Sequence, residues 1–134
     1  MKVYKQKNKK SHYSNHWSTP DNIYVHYVYD NDYYDPCPLY DESFDFNIDN
    51  YYGNMFINPP YSDINIWIDY AIDYHKKYPY TNIVMLVPAR TDTKWFHKSL
   101  NHGVHIEFIK GRLKFGDSKT SAPFPSIFIH FEKS

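Results

Sequence analysis

Two scarcities constrain this chain of 134 residues most: it has one cysteine and four glycines. With Cys37 alone, an internal disulfide is excluded and a thiolate metal site has no second thiolate to build on. Eight histidines are scattered without ligand spacing, so no metal site is expected. No apolar run is long enough to span a bilayer, and the Lys-rich N-terminus has no apolar segment after it. Neither a signal peptide nor a membrane anchor is therefore expected, and the protein reads as soluble, intracellular and cytoplasmic. The length allows one domain with a modest core.

Net charge is zero, yet the charges are segregated. Residues 1–10 hold five lysines, and residues 21–73 hold eleven acids with no Lys or Arg. Residues 75–134 hold ten Lys or Arg against four acids. Phosphate contacts need local rather than net charge, so the basic C-terminal half is a candidate nucleic-acid face. The fifteen tyrosines accompany many Asn, Ile, Lys and Asp, all residues of AT-rich codons, and on their own imply no stacking platform.

Residues 1–16 read as a flexible basic arm and residues 17–134 as the folded domain. Ser18 or Thr19 can cap a short helix with Pro20 at its first position, running to about residue 28. A brief strand at Tyr33-Tyr34-Asp35-Pro36 and an acidic irregular loop over 40–51 follow. Asn54 to Ile57 reads as a strand. Ser62 or Asp63 then caps a helix whose Ile64, Trp67, Ile68, Ala71 and Ile72 fall on one face. Asn82 to Val87 is near-continuously apolar, as in a strand covered on both faces. A second helix is predicted from Thr91 or Asp92 to Gly103. Val104, Ile106 and Phe108 alternate with polar residues, predicting a strand with one buried face. A final strand covers Ser126 to Glu132. The expectation is an α/β fold with a mostly parallel sheet and an antiparallel edge.

At the end of the first of these strong strands stands Asn58-Pro59-Pro60-Tyr61. An exocyclic amine on a planar base is a poor nucleophile until acceptors draw its protons out of the ring plane. The Asn58 side-chain oxygen and the Pro59 carbonyl can be two such acceptors. Pro59 and Pro60 fix φ and remove donors, and Tyr61 offers a face on which an extruded base can stack. Ligands of open α/β sheets bind at the carboxyl ends of strands, where this motif falls.

Several separated segments then match one pattern. They are Trp17-Ser18-Thr19-Pro20, Asp35-Pro36-Cys37-Pro38, Phe56-Ile57-Asn58-Pro59-Pro60-Tyr61-Ser62, Val87 to His97, Gly111-Arg112-Leu113-Lys114-Phe115 and Ala122-Pro123-Phe124-Pro125-Ser126. Carrying them, the chain resembles the phage-type, Dam-like DNA N6-adenine methyltransferases.

The resemblance implies a minimal Rossmann-like class I methyltransferase fold, S-adenosylmethionine as donor and adenine N6 in DNA as acceptor, in the host cell of a phage or virus. It implies that Asn58, Pro59, Pro60 and Tyr61 are catalytic, and that Trp17, Thr19, Pro20, Asp35 and Pro36, with Asn58, line the donor pocket. A carboxylate such as Asp35 can accept from a ribose hydroxyl or pair with a cationic methionine moiety. Arg90, Lys94, Arg112 and Lys114 are the candidate nucleic-acid contacts. RNA adenine or a protein amide is the alternative acceptor, and a degenerate, non-catalytic nucleic-acid-binding subunit is the alternative to an enzyme. One departure stands out: Pro38, Leu39 and Tyr40 follow Asp35-Pro36-Cys37 where the wider superfamily has a glycine-rich loop. Either the donor is held differently, or a homodimer or partner subunit completes the site.

Overall fold

The computed structural model describes Tyr4 and residues 18–39, 41, 43–115 and 121–133. Trp17 and the arm apart from Tyr4 lie outside the described residues. The strands β1 (Met55–Ile57), β2 (Ile83–Pro88), β3 (His105–Phe108) and β4 (Ser126–Phe131) form one mixed sheet in the order β1-β2-β4-β3. β1 and β2 are parallel, with Phe56 opposite Val84. β4 runs antiparallel to both β2 and β3. Tyr34 adds a single parallel bridge to Met55 on the far side of β1. The expectation of a mostly parallel sheet is thus corrected. β4 inserts between β2 and β3 instead of adding outside them, which makes two of the three pairings antiparallel.

Strand side chains alternate between faces, and both faces of the central strands are covered. Met55, Ile57, Ile83, Met85, Val87, Ile127, Ile129 and Phe131 pack in one buried cluster with Trp67, Ile68, Ala71 and Tyr74. These last belong to helix α2, Ile64–Lys77, which follows a 3₁₀ turn at Tyr61–Asp63. All five residues chosen by helical spacing are buried, joined by Tyr70 and Tyr74. Tyr74 donates its hydroxyl to the Gly53 carbonyl at 2.9 Å and accepts from the Tyr52 amide at 3.0 Å, tying α2 to the loop before β1.

The opposite face, Phe56, Val84, Leu86 and Phe128, is covered by Ile23, Tyr27 and Val28 and by Leu113, Phe115 and Phe124. Ile23 belongs to a helical segment, α1 (Asp21–Tyr24), that continues as a π-helical turn over Val25–Asp30. Here Pro20 occupies the N-cap instead of the first helical position, and no side chain caps the helix. Tyr27 stacks on Phe56 at 5.2 Å between ring centroids, which docks the segment on the sheet.

Helix α3 spans Lys94–His102 and starts later than its sequence suggests. Thr93 is the cap: its hydroxyl donates to the Arg90 carbonyl at 2.8 Å and accepts from the Phe96 amide at 3.3 Å. Gly103 ends the helix at φ 97°, a left-handed conformation that favours glycine. β3 departs from expectation as well. Val104 and Ile106 are half-buried and Phe108 is 73 % exposed, because β3 is an edge strand that lacks a full covering layer. Tyr4 packs on the α2 face, stacked on Phe46 at 5.7 Å, with its hydroxyl donating to Asp73. Among the described residues no helix is long and apolar enough to cross a membrane.

Candidate active site

β1 ends at Ile57, and the chain leaves the sheet as Asn58-Pro59-Pro60, all buried. Two consecutive prolines cannot continue a ladder or a helix, so the backbone turns directly into the 3₁₀ turn headed by Tyr61. Asn58 lies at the carboxyl end of a strand and is 5 % exposed.

Asn58 shares a cavity of about 440 Å³ with Ser18, Thr19, Tyr24, Asp35 and Leu39 among its lining residues. This size suits a small organic ligand. The amide nitrogen of Asn58 donates to the Thr19 hydroxyl at 3.0 Å, across a separation of 39 positions. Pro20 and Pro36 are buried beside their cavity-lining neighbours Thr19 and Asp35.

Asp35 accepts from the Tyr24 hydroxyl at 2.8 Å and from the Cys37 amide at 3.0 Å. Burial nevertheless dominates and pushes its carboxyl above the usual carboxylate range, while both hydrogen bonds pull the other way. Burial likewise pushes the Cys37 thiol well up, which makes it a poor nucleophile and ligand. Asp21, Val25 and Tyr29 complete the side of the cavity made by α1 and its π-helical extension. A π-helical turn brings residues five apart into register. Tyr24 and Tyr29 accordingly meet edge to face at 5.8 Å.

Tyr61 is half-buried and packs its ring edge to face on Phe124 at 5.1 Å. Phe124 in turn lies 6.1 Å from Phe115. Burial pushes the Tyr61 hydroxyl well up, and Arg90 is close enough to pull it back in part. The segment 111–115 is held beside this row by the Ala122 amide, which donates to the Leu113 carbonyl at 2.8 Å.

The sequence candidates thus fall into two groups. Asn58, Thr19 and Asp35 line one cavity, whereas Arg90, Lys94, Arg112 and Lys114 are exposed and are not among its described lining residues. His97 turns to the Thr91 carbonyl at 2.8 Å, a local contact in the turn before α3. Sequence reasoning missed Tyr24, Val25, Tyr29 and Asp21. Their signal exists only as spacing after Pro20, and a π-helical turn breaks the periodicity by which a helix face is recognised.

The lining combines carboxylates with apolar and aromatic walls, which suits a ligand that carries both a cationic group and a flat ring. Asp35 and Asp21 provide carboxylates, and Val25, Leu39 and the tyrosine rings provide apolar walls. The amide of Asn58 and the two prolines after it thus stand at a strand end beside this cavity. The family model for DNA N-6-adenine-methyltransferase (Dam) matches residues 43–127, more than half of the chain. This protein therefore belongs to the Dam DNA N6-adenine methyltransferase family. The matched span includes Asn58 to Tyr61, Arg90, Lys94, Arg112 and Lys114, and leaves Thr19 and Asp35 outside. Neither a curated protein nor a solved structure matches the chain.

Proposed function

We propose that the protein transfers a methyl group from S-adenosylmethionine to N6 of an adenine extruded from DNA, at a site centred on Asn58. The observation that carries this reading is Asn58, at the end of β1, lining the same cavity as the Asp35 carboxylate. The directions of β1, β2 and β3, with β4 reversed between the last two, support a Rossmann-like arrangement.

When bound, the donor supplies an electrophilic methyl group on a sulfonium centre. Asp35 would pair with its cationic portion, and Val25, Leu39 and Tyr29 would line the space for its ring. The side-chain oxygen of Asn58 and the carbonyl of Pro59 accept from the target amine and free its lone pair for in-line attack. Tyr61, braced by Phe124, stacks on the extruded base. The amine gives up its proton to solvent after methylation, so no strong general base is required. Arg90, close enough to act on the Tyr61 hydroxyl, would meet a phosphate, and Lys94, Arg112 and Lys114 would extend the basic contact.

Incubation of purified protein with labelled S-adenosylmethionine and, in parallel arms, duplex DNA, single-stranded DNA and RNA tests the proposal. Label is expected in DNA adenine. Removal of the Asn58 acceptor in Asn58→Ala is expected to lower the rate by roughly 10²–10³, the usual effect of deleting one preorganised polar contact. Full activity in Asn58→Ala rejects the mechanism. Label confined to RNA rejects the acceptor while keeping the chemistry.

A further inference from the structure

We propose that Thr19 is a positioning residue that fixes the plane of the Asn58 amide, an inference that rests on the amine-methylation reading above. A primary amide carries an acceptor and a two-proton donor on arms of nearly equal size. Only the oxygen arm can accept from an incoming amine; the nitrogen arm sets donor against donor. A productive site therefore needs something that holds the amide by its nitrogen. Asn58 is 5 % exposed, so a group of the protein is better placed to do this than solvent.

The Thr19 hydroxyl does. It accepts from the Asn58 amide nitrogen at 3.0 Å, and by the covalent geometry of the amide this turns the oxygen arm away from Thr19. The backbone that carries this hydroxyl is anchored from elsewhere in the chain. Pro20, next in sequence, is buried at the head of α1, and its carbonyl accepts from the amides of Ile23 and Tyr24 at 3.1 and 3.0 Å. Ile23, Tyr27 and Val28 pack this segment onto the sheet face carrying Phe56, two residues before Asn58. Thr19 thus reaches Asn58 from a support independent of the Asn58-Pro59-Pro60-Tyr61 backbone, and it lies outside the span matched by the family model.

The test compares Thr19→Val, which keeps the shape and removes the hydroxyl, with Thr19→Ser, which keeps the hydroxyl. Methyl transfer to duplex DNA gives kcat, titration with S-adenosylmethionine gives the donor Kd, and nuclear magnetic resonance of the Asn58 side-chain amide reports its hydrogen bond. In Thr19→Val, kcat is expected to fall about tenfold to a hundredfold, as for a reacting group displaced by about an ångström. The loss in kcat should exceed any change in donor Kd, the amide resonance should shift, and Thr19→Ser should restore most of the rate. The same change in an Asn58→Asp background should cost less, because a carboxylate has two equivalent oxygen arms. An unchanged kcat in Thr19→Val overturns the role, and so does a rise in donor Kd that accounts for the whole loss, which makes Thr19 a donor contact only. An amide resonance that does not move when the hydroxyl is removed overturns it independently of activity. A wild-type protein that methylates no acceptor rejects the activity itself, an outcome distinct from all of these.

Discussion

Asp35 shows how much of a single residue's chemistry is set by neighbours that the sequence does not pair with it. Burial raises its pKa, and the hydrogen bonds from the Tyr24 hydroxyl and the Cys37 amide oppose that rise. The proton is therefore lost at higher pH than from an ordinary aspartate, and donor affinity that depends on the carboxylate should fall on acidification before other carboxylates titrate. Tyr24→Phe removes a donor that favours the charged form. Its expected effect is to move the acid limb of donor binding to still higher pH, measured as Kd for S-adenosylmethionine across a pH series. An unmoved limb means that Asp35 does not bind the donor's cation. The place of Asn58 at the end of a strand was legible, because an apolar run that stops at two prolines marks where the chain must leave the sheet. The Tyr24–Asp35 bond was not legible, since nothing local to either residue announces it.

At the scale of elements, legibility followed the strength of the periodic signal. Helix α2 repeats its apolar residues with a clear spacing and buries the face that spacing selects. The sequence puts the start of helix α3 two to three residues early, because Thr91 and Asp92 both have cap-forming side chains and only the tertiary turn from Pro88 decides against them. The Arg90 amide bonds back to the Pro88 carbonyl at 2.8 Å, which keeps residues 90–92 out of the helix and leaves Thr93 as the cap. Thr93→Ala is expected to lower stability by about 1 kcal/mol, as for other lost caps, read from the midpoint of urea unfolding. An equal loss in Asp92→Ala instead would place the cap where the sequence alone suggested. For β3 the alternation was present but its burial was not. Alternation reports which side chains share a face, while the covering layer comes from other parts of the chain.

Charge and protonation act on the whole molecule. Near the C-terminal ends of α2 and α3, the His75 Nδ1 and the His102 Nε2 lie 2.9 Å apart, and the His75 Nε2 meets the Glu132 carbonyl at 2.9 Å. Burial, then His75 and Lys76, lower the His102 pKa below its ordinary 6.5, with Asp73 opposing. A basic group whose folded pKa lies below its unfolded one binds more protons when unfolded, so stability rises with pH across that interval. The contribution is fully present above about pH 6.5 and is lost as pH falls through the lowered value. His102→Gln is expected to flatten this part of the stability profile, measured by thermal melts between acidic and neutral pH.

Segregated charge has a second consequence, for association with DNA. A net charge of zero gives no long-range attraction as a sum, so binding depends on where the cations stand. The acidic stretch 21–73 supplies the cavity beside Asn58 with Asp21 and Asp35, whereas Arg90, Lys94, Arg112 and Lys114 are exposed and are not among its described lining residues. On the proposed function, such a division would keep phosphates away from Asp35 and leave the basic half to bind the DNA backbone. If Arg112 and Lys114 each neutralise one phosphate, removing either should reduce the slope of log affinity against log salt by about 0.9. Binding should weaken equally on unrelated duplex sequences, because phosphate contacts carry no sequence information. Fluorescence anisotropy with Arg112→Ala and Lys114→Ala on two unrelated duplexes over a range of salt concentrations measures both quantities. A loss confined to one duplex makes these residues base readers, and an unchanged slope moves the phosphate face elsewhere on the molecule.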